Sequence, residues 1–235
     1  MKTRFSLLLY VAAVALSACQ GSHATPSASR PTVSPAATPK ALAQGTARVP
    51  FGDRTVPITV SGYGATMVIL ANMYQGDQSQ WDRLVPVIDK SRFTVVTFSY
   101  VSDSTSDDEY YTAEVDSEAL YDYAVKAGFT RIICVGASVG VTACGELAHK
   151  PEIVAEVLIA GENFGERLDR PFPKLFVAGE IDEWAGGTES AYEAAAKPKK
   201  LVLYESNPAH GTMLFSSSDG PAFIDLLKTF IADNG

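Results

Sequence analysis

The segment Gly136-Ala137-Ser138-Val139-Gly140 forms a G-x-S-x-G motif that could carry a nucleophile. A serine hydroxyl at its ordinary pKa is a weak nucleophile, so it needs a neighbouring base. The motif directly follows an apolar run at 131–135 and precedes a helical pattern. This context predicts a sharp strand-to-helix turn, where small flanking residues avoid clashes and the helix N-terminus favours negative charge. Ser138 is therefore the candidate nucleophile.

The positions of the histidines leave one candidate base. His23 lies in a segment rich in Pro, Ser and Ala near the N-terminus. His149 follows Ser138 by eleven residues, and along a helix that separation is about 16 Å, too far for proton transfer. His210 lies in a loop after the last predicted strand, at the sheet edge where ligand sites gather in open α/β folds. We predict that His210 is the base.

A catalytic histidine is normally oriented by a carboxylate. Asp182 is the preferred candidate because it follows the predicted strand 174–178 within the run Gly179-Glu180-Ile181-Asp182-Glu183. Glu180 and Glu183 are close competitors by position alone. Glu162, which follows the preceding strand, is a further candidate.

The elements that must position these side chains follow from the hydropathy pattern. Short, almost continuously apolar runs are typical of strands that are covered on both faces of a parallel sheet. The predicted strands are 67–70, 93–98, 131–135, 155–160, 174–178 and 201–204. Apolar residues at helical spacing separate several of them, around Trp81–Ile88 and Val115–Ala124, and form a last helix around Phe223–Ile231. This alternation predicts an α/β fold with a mostly parallel sheet and helices on both faces.

Two further segments refine this architecture. Residues 47–62 read as an antiparallel hairpin at one edge of the sheet, with a turn at Phe51-Gly52-Asp53-Arg54. The connection at 161–173 is too short to hold a cap domain. We therefore expect an open, shallow site at the edge of the sheet.

Composition limits the classes of partner. The chain has 235 residues and a net charge of −8, and all 27 acidic residues lie in 49–235 together with 14 of the 19 basic ones. Such an acidic domain argues against nucleic acid and favours neutral or cationic substrates. Zinc-ligand spacing, a dinucleotide fingerprint and a P-loop are all missing from the sequence, so we expect no metal and no cofactor. Cys134 and Cys144 are expected to be small buried thiols, with a disulfide as the alternative in an exported protein.

Residues 49–235 resemble a small, single-domain α/β-hydrolase of the dienelactone-hydrolase and esterase type. The resemblance rests on the G-x-S-x-G motif, on the strand followed by Gly179 to Asp182, and on His210-Gly211 near the C-terminus. The chain order Ser138, Asp182, His210 is also that of the α/β-hydrolases. The resemblance implies that these three residues are the nucleophile, the acid and the base, on a fold without a cap domain.

The loop after the strand at 67–70 departs from this family pattern. Many relatives have His-Gly there, whereas this chain has Asn72-Met73. By that alignment the backbone N–H groups of Tyr74 and Val139 would be the oxyanion donors. Met73 is the alternative donor if the register shifts by one residue.

The N-terminus resembles that of a bacterial lipoprotein. Lys2 and Arg4 precede an apolar run at 5–15, which is typical of a secretory signal and short for a membrane-spanning helix. The run ends in Leu16-Ser17-Ala18-Cys19, a complete lipobox. The resemblance implies a signal peptide at 1–18, lipidation of Cys19, a flexible tether at 19–48 and a hydrolase domain at 49–235, exported and held at the bacterial cell envelope by the lipid.

These observations favour a serine hydrolase. The expected reaction is carboxylic ester hydrolysis, on short-chain or exposed neutral esters, through an acyl-enzyme on Ser138. An acyltransferase or peptidase with the same triad is one alternative. A non-catalytic binding lipoprotein of the envelope is the other, since a fold alone does not establish activity.

Overall fold

The computed structural model describes residues 39–52, 54–74, 76–101, 109–161 and 168–235. Its strands are β1 (Gly45–Phe51), β2 (Arg54–Ser61), β3 (Thr66–Ala71), β4 (Phe93–Phe98), β5 (Ile132–Ala137), β6 (Ile153–Ile159), β7 (Lys174–Gly179) and β8 (Lys199–Tyr204). Its α-helices are α1 (Glu109–Lys126), α2 (Val139–Leu147), α3 (Ala185–Ala194) and α4 (Gly220–Asn234). Short 3-10 helices lie at Gln78–Trp81, Val85–Val87 and Gly211–Ser216.

The eight strands form one sheet in the order β1-β2-β4-β3-β5-β6-β7-β8. The pairs β1/β2 and β2/β4 are antiparallel, and all the other pairs are parallel. From β3 the chain passes first to β4 on one side and then to β5 on the other. Connections that leave in opposite directions open a crevice beyond the carboxyl ends of the strands. The loops after β3 and β5 therefore meet at such a crevice.

Side chains alternate between two apolar layers along the central strands. In β3, Met67 and Ile69 face the layer that contains α1, α2 and α3, whereas Val68 and Leu70 face the layer that contains α4. All six residues of β3 are buried, as expected for a strand that is covered on both faces. The predicted mostly parallel α/β sheet with helices on both faces is confirmed.

The antiparallel hairpin predicted at the edge of the sheet is also confirmed, but its first strand begins two residues earlier than predicted. Strand β1 begins at Gly45, and Gly45 pairs with Val60 of β2. The Lys40 N–H donates to the Ala127 carbonyl at 2.8 Å, and Leu42 packs against the core. Residues 40, 42 and 45–48 therefore contact the folded domain, although the sequence predicts that they belong to the tether. The rest of that segment, the predicted signal peptide and Cys19 lie outside the described residues.

The helical elements differ from prediction in two places. The segment around Trp81–Ile88 forms two 3-10 helices, the second of which contains Pro86, a residue without a backbone N–H. Helix α3, at Ala185–Ala194, was not predicted because few of its residues are strongly apolar. In the part of the chain that the structure describes, helices of the length and apolar character needed to cross a membrane are absent.

Cys134 and Cys144 form a disulfide, which corrects the expectation of two free thiols. Cys134 lies on β5 and Cys144 on α2, and the turn between these two elements folds the helix back over the strand. This arrangement brings the two Cα atoms to 5.5 Å, within the usual range for a disulfide. The ring closed by the disulfide contains Ser138.

Candidate active site

Ser138 occupies the predicted turn between β5 and α2. Its backbone angles are φ 53° and ψ −121°, a region that residues with a Cβ rarely adopt. Its N–H donates to the Ile159 carbonyl at the end of β6, at 2.9 Å. Strain of this kind persists only where surrounding contacts hold it, and it is concentrated at functional sites. The strand-to-helix turn predicted from the sequence is thus present, and it lies at the carboxyl edge of the sheet.

The two glycines of the motif are required by close backbone approaches. A Cβ on Gly136 would lie 2.1 Å from the Gly140 carbonyl oxygen. A Cβ on Gly140 would lie 2.2 Å from the Ala71 carbonyl oxygen, at the end of β3. These contacts hold the first turn of α2 directly against the loop that follows β3.

Asp182 and His210 form a direct side-chain pair. His210 Nδ1 lies 3.1 Å from Oδ1 and 3.0 Å from Oδ2 of Asp182. The Asp182 side chain is almost completely buried, with 2% exposed, whereas 20% of the His210 side chain is exposed. Asp182 Oδ1 also accepts the Trp184 N–H at 3.3 Å. A buried carboxylate that contacts Nδ1 directs the other ring nitrogen, Nε2, away from itself.

Asn207 anchors the loop that carries His210. Its Oδ1 accepts the Ala209 N–H at 2.8 Å, and its Nδ2 donates to Ser217 Oγ at 3.0 Å and to Asp219 Oδ2 at 2.6 Å. A Cβ on Gly179 would lie 2.3 Å from the Asn207 carbonyl oxygen, so the loop is pressed against the end of β7. The loop that carries the histidine is therefore fixed against the strand that leads to Asp182.

Two of the competing acids, Glu180 and Glu183, point away from His210 in other contacts or into solvent. Glu180 is exposed, and its Oε2 accepts the Ser206 N–H at 2.8 Å. Glu183 is also exposed. The carboxylate that contacts His210 is that of Asp182. Glu162 lies outside the described residues.

His149 does not compete with His210 in this structure. His149 is exposed, just after the end of α2. His23 lies outside the described residues.

The serine and histidine loops meet at their neighbouring residues. A Cβ on Gly211 would lie 3.6 Å from Ala137 Cβ, so the residue after His210 lies near the residue before Ser138. Among the described residues, Ser138 Oγ has no hydrogen-bond partner. Catalytic hydrogen bonds are often long before substrate binds and tighten in the complex. The structure therefore brings Ser138, Asp182 and His210 to one edge of the sheet, with the side chains of Asp182 and His210 in contact.

The loop after β3 lies beside this group. Met73 Sδ accepts the Thr212 N–H at 3.2 Å, which joins the loop to the segment after His210. The Met73 N–H donates to Gln80 Oε1 at 2.9 Å, so it is already engaged. Among the described residues, the Tyr74 N–H and the Val139 N–H have no acceptor. Of the three donors considered from the sequence, Tyr74 and Val139 are therefore available and Met73 is not.

Sequence reasoning missed two side chains that contact this loop. Tyr100 donates its hydroxyl proton to the Asn72 carbonyl at 2.8 Å, and Gln80 accepts from Met73. Burial raises the pKa of Tyr100, so its hydroxyl stays neutral and remains a donor. Tyr100 follows β4, so its position in the sequence could have placed it at the same sheet edge. No feature of the sequence around Gln80 indicates its contact with Met73.

Within the described residues, the structure has no cluster of three or more His, Cys, Asp or Glu side chains that could hold a metal ion. Cys19, the predicted lipidation site, lies outside those residues. The functional groups described at the site are one hydroxyl, one imidazole, one carboxylate and backbone N–H groups.

Sequence comparison finds no matching family model and no matching curated protein. Comparison of structures gives many similar folds. A dienelactone hydrolase from Anabaena variabilis is 17% identical, with a TM-score of 0.68, and the match covers 84% of this chain and 99% of that one. An alpha-beta serine hydrolase homologue from Coxiella burnetii is 14% identical, with a TM-score of 0.63, over 80% and 97% of the two chains. A thermophilic esterase from Thermogutta terrifontis is 10% identical, with a TM-score of 0.61, over 80% and 98%.

The eight-stranded sheet of this chain therefore has the α/β-hydrolase fold, as the sequence predicted. The matches span nearly the full length of the compared chains. Between the end of β6 and the start of β7 the chain has too few residues for a cap domain. At these identities the likeness concerns the fold alone.

Proposed function

We propose that this protein is a serine hydrolase that cleaves carboxylic esters, with Ser138 as nucleophile, His210 as base and Asp182 as the group that orients the base. The observation that carries the proposal is the contact between His210 Nδ1 and the buried Asp182 carboxylate, at 3.0 Å, beside the strained Ser138 turn. Acyl transfer would account for all three features at this sheet edge: the strained backbone of Ser138, the buried Asp182 carboxylate and the partly exposed His210 imidazole.

The reaction follows from the roles of these groups. His210 Nε2 takes the proton of Ser138 as Oγ forms a bond to the ester carbonyl carbon. The carbonyl oxygen becomes an oxyanion and accepts hydrogen bonds from the N–H groups of Tyr74 and Val139. The C–O bond to the alcohol then breaks, and His210 returns its proton to the leaving oxygen. Asp182 stabilises the imidazolium while it carries that proton.

A water molecule completes the cycle. His210 removes a proton from the water as its oxygen attacks the acyl carbon. The tetrahedral intermediate collapses, the carboxylic acid leaves, and Ser138 recovers its proton from His210. Each half-reaction uses the same two backbone donors.

The substrate class is short-chain or exposed neutral esters. The short connection between β6 and β7 supports this class, because a deep enclosed acyl tunnel needs covering segments. Exposed apolar side chains flank the site at Tyr74, Ile181 and Met213, with 49%, 61% and 55% of their surface exposed. The acidic net charge of the chain disfavours anionic substrates.

The enzyme is proposed to act outside the cytoplasm, anchored by lipid on Cys19. The Leu16-Ser17-Ala18-Cys19 sequence supports this location, and so does the Cys134–Cys144 disulfide, because disulfides persist in oxidising compartments. Metabolic labelling with an alkynyl fatty acid tests it. The wild type should carry the label and sediment with membranes, and Cys19→Ser should do neither. Equal labelling of both proteins would contradict the anchor.

The esterase proposal is tested on p-nitrophenyl acetate, butyrate and octanoate. The wild type should hydrolyse the acetate and butyrate fastest, and Ser138→Ala should fall to background. Ser190→Ala is the matched control, since its hydroxyl bonds to the Gly186 carbonyl on α3, at 2.8 Å. A fluorophosphonate probe should label the wild type and Ser190→Ala but not Ser138→Ala. Equal rates for the wild type and Ser138→Ala would reject the proposal.

A further inference from the structure

The peptide group that joins Asn72 to Met73 is held at both of its polar atoms by side chains. Its carbonyl oxygen, on Asn72, accepts the Tyr100 hydroxyl at 2.8 Å. Its N–H, on Met73, donates to Gln80 Oε1 at 2.9 Å. Because the N–H and C=O of a trans peptide point in opposite directions, the two side chains grip the peptide from opposite sides. This fixes the rotation of the peptide plane.

The next peptide group is fixed as a consequence. Its carbonyl, on Met73, accepts the Gly76 N–H at 3.3 Å and so points into the turn. Its N–H, on Tyr74, must then point out of the turn, and no described residue accepts a hydrogen bond from it. The Met73 N–H and the Tyr74 N–H are thus consecutive along the chain. The first is occupied by its hydrogen bond to Gln80, whereas the second is free to bind a substrate.

Gln80 is itself held in place. It belongs to the 3-10 helix Gln78–Trp81, whose first turn is capped by Asp77 Oδ1 accepting from the Ser79 N–H at 2.8 Å. The neighbouring Trp81 is fully buried and packs edge-on against Phe215, with ring centroids 5.9 Å apart. The helix is therefore anchored in the core, and Gln80 acts as a fixed acceptor.

The loop also makes room for this contact. A Cβ on Gly76 would lie 1.5 Å from Gln80 Nε2, so the amide lies directly against the Gly76 backbone. Any larger residue at position 76 would displace it. The Gln80 side chain therefore contacts both the Met73 N–H and the Gly76 backbone, on either side of Tyr74 in the sequence.

We infer that Gln80 is the positioning residue of the oxyanion site: by binding the Met73 N–H, it fixes the loop so that the Tyr74 N–H is the donor presented to the substrate. Tyr100 supports the same peptide from the other side. The inference rests on the proposed function, because an oxyanion forms only if the enzyme transfers acyl groups. Gln80 does not touch the substrate and acts through the backbone.

The test compares Gln80→Met with wild type, using the full chain purified in detergent. Methionine is similar in length and cannot accept the Met73 N–H with comparable strength. Without the hydrogen bond from Met73 to residue 80, the Tyr74 N–H is no longer held in position, which should lower kcat for p-nitrophenyl butyrate by about 10- to 100-fold. KM should change by less than about threefold, since the donor acts mainly in the transition state. The rate of fluorophosphonate labelling should fall in parallel with kcat.

Gln78→Met is the matched control on the same short helix. The Gln78 amide oxygen accepts from Thr97 Oγ1 at 2.9 Å, away from the loop. This variant loses a comparable hydrogen bond, and its kcat should stay within about twofold of wild type. Tyr100→Phe provides a second variant of the same peptide group if Gln80→Met does not fold, and it should also lower kcat with little change in KM.

The outcomes separate the two proposals. An active wild type, an inactive Ser138→Ala and an unchanged kcat in Gln80→Met would overturn the role of Gln80 and leave the hydrolase intact. A loss of equal size in Gln78→Met would also overturn it, because the effect would then be structural. A wild type as inactive as Ser138→Ala would reject the proposed function, and the role of Gln80 with it.

Discussion

His210 Nδ1 lies 3.1 and 3.0 Å from the two carboxylate oxygens of Asp182, and the Asp182 side chain is only 2% exposed. A buried carboxylate in this position selects the tautomer in which Nε2 is free to accept a proton. It would also lower the free energy of the imidazolium that forms in the proposed reaction. The pair therefore predicts a strong dependence of the rate on the charge at position 182.

Asp182→Asn should lower kcat by about 10³- to 10⁴-fold, because an amide can hold the ring in the wrong tautomer and does not stabilise the imidazolium. KM should change little. Steady-state kinetics on p-nitrophenyl butyrate measure both quantities. Glu180→Gln is the control, since Glu180 is exposed and binds the Ser206 N–H. If the two variants lost activity equally, Asp182 would not be the orienting acid.

Much of this arrangement was predictable because local sequence determines it. The strands are short and apolar, and the turn at Ser138 requires the small residues that the motif supplies. The assignment of His210 followed from elimination among three histidines. The choice of Asp182 over Glu180 was a preference only, because neighbouring acids differ by which face of the loop they occupy.

Other features depend on contacts that sequence spacing does not encode. The Met73–Gln80 hydrogen bond depends on how the short helix at Gln78–Trp81 packs, so the sequence left Met73 open as an oxyanion donor. The Cys134–Cys144 disulfide depends on the angle at which α2 folds back over β5. Both features are set by tertiary packing, which periodicity and motif spacing do not report.

Substitution of Gly140 by alanine should destabilise the protein. Its Cβ would lie 2.2 Å from the Ala71 carbonyl oxygen, a backbone atom that cannot move aside cheaply. The expected loss is about 1–3 kcal/mol in the free energy of unfolding, as for other overpacked sites. Urea denaturation followed by circular dichroism measures it.

Gly186→Ala is the matched control on helix α3. A Cβ at Gly186 would meet no atom within 4 Å, and alanine favours the helix. This variant should be more stable than wild type by up to about 1 kcal/mol. Equal destabilisation by both substitutions would show that the steric explanation for Gly140 is wrong.

Removal of the disulfide should destabilise the native state. Cys134 and Cys144 are separated by 10 residues, and a crosslink over such a short loop contributes about 3 kcal/mol through the entropy of the unfolded chain. The double variant Cys134→Ala, Cys144→Ala should therefore unfold at lower urea concentration than the oxidised wild type. Reduced wild type should match the double variant.

Thiol alkylation checks that the disulfide forms. In denaturant without reductant, neither Cys134 nor Cys144 should react with iodoacetamide, and both should react after reduction. Mass spectrometry of the peptides reports the result. Alkylation of both residues before reduction would contradict the disulfide.

Glu156 is fully buried on β6, and neither of its carboxylate oxygens has a hydrogen-bond partner among the described residues. Burial raises its pKa to about 8, against the attraction of Lys174 and Arg170, which lowers it. Lys174 lies beside Glu156 on β7, and burial lowers the pKa of its ammonium group. Glu156 is therefore protonated in the native state at neutral pH, whereas in the unfolded chain it is ionised.

This difference makes stability depend on pH. The native state binds a proton that the unfolded state has released, so the free energy of unfolding should fall as pH rises from the unfolded pKa, near 4.5, to the native value of about 8. Glu156→Gln has no carboxyl group to titrate at this position, so its free energy of unfolding should not fall with pH for this reason. Relative to wild type, the variant should gain stability as pH rises from about 5 to 8 and gain no more above that range.

Urea denaturation at pH 5, 6.5, 8 and 9 measures the difference between the two proteins. Glu189→Gln, at an exposed position on α3, is the control and should shift stability by the same small amount at every pH. A Glu156→Gln difference that stayed constant across the range would mean that Glu156 is ionised in the native state and paired with Lys174. The slope of stability against pH therefore decides which charge state the core accommodates.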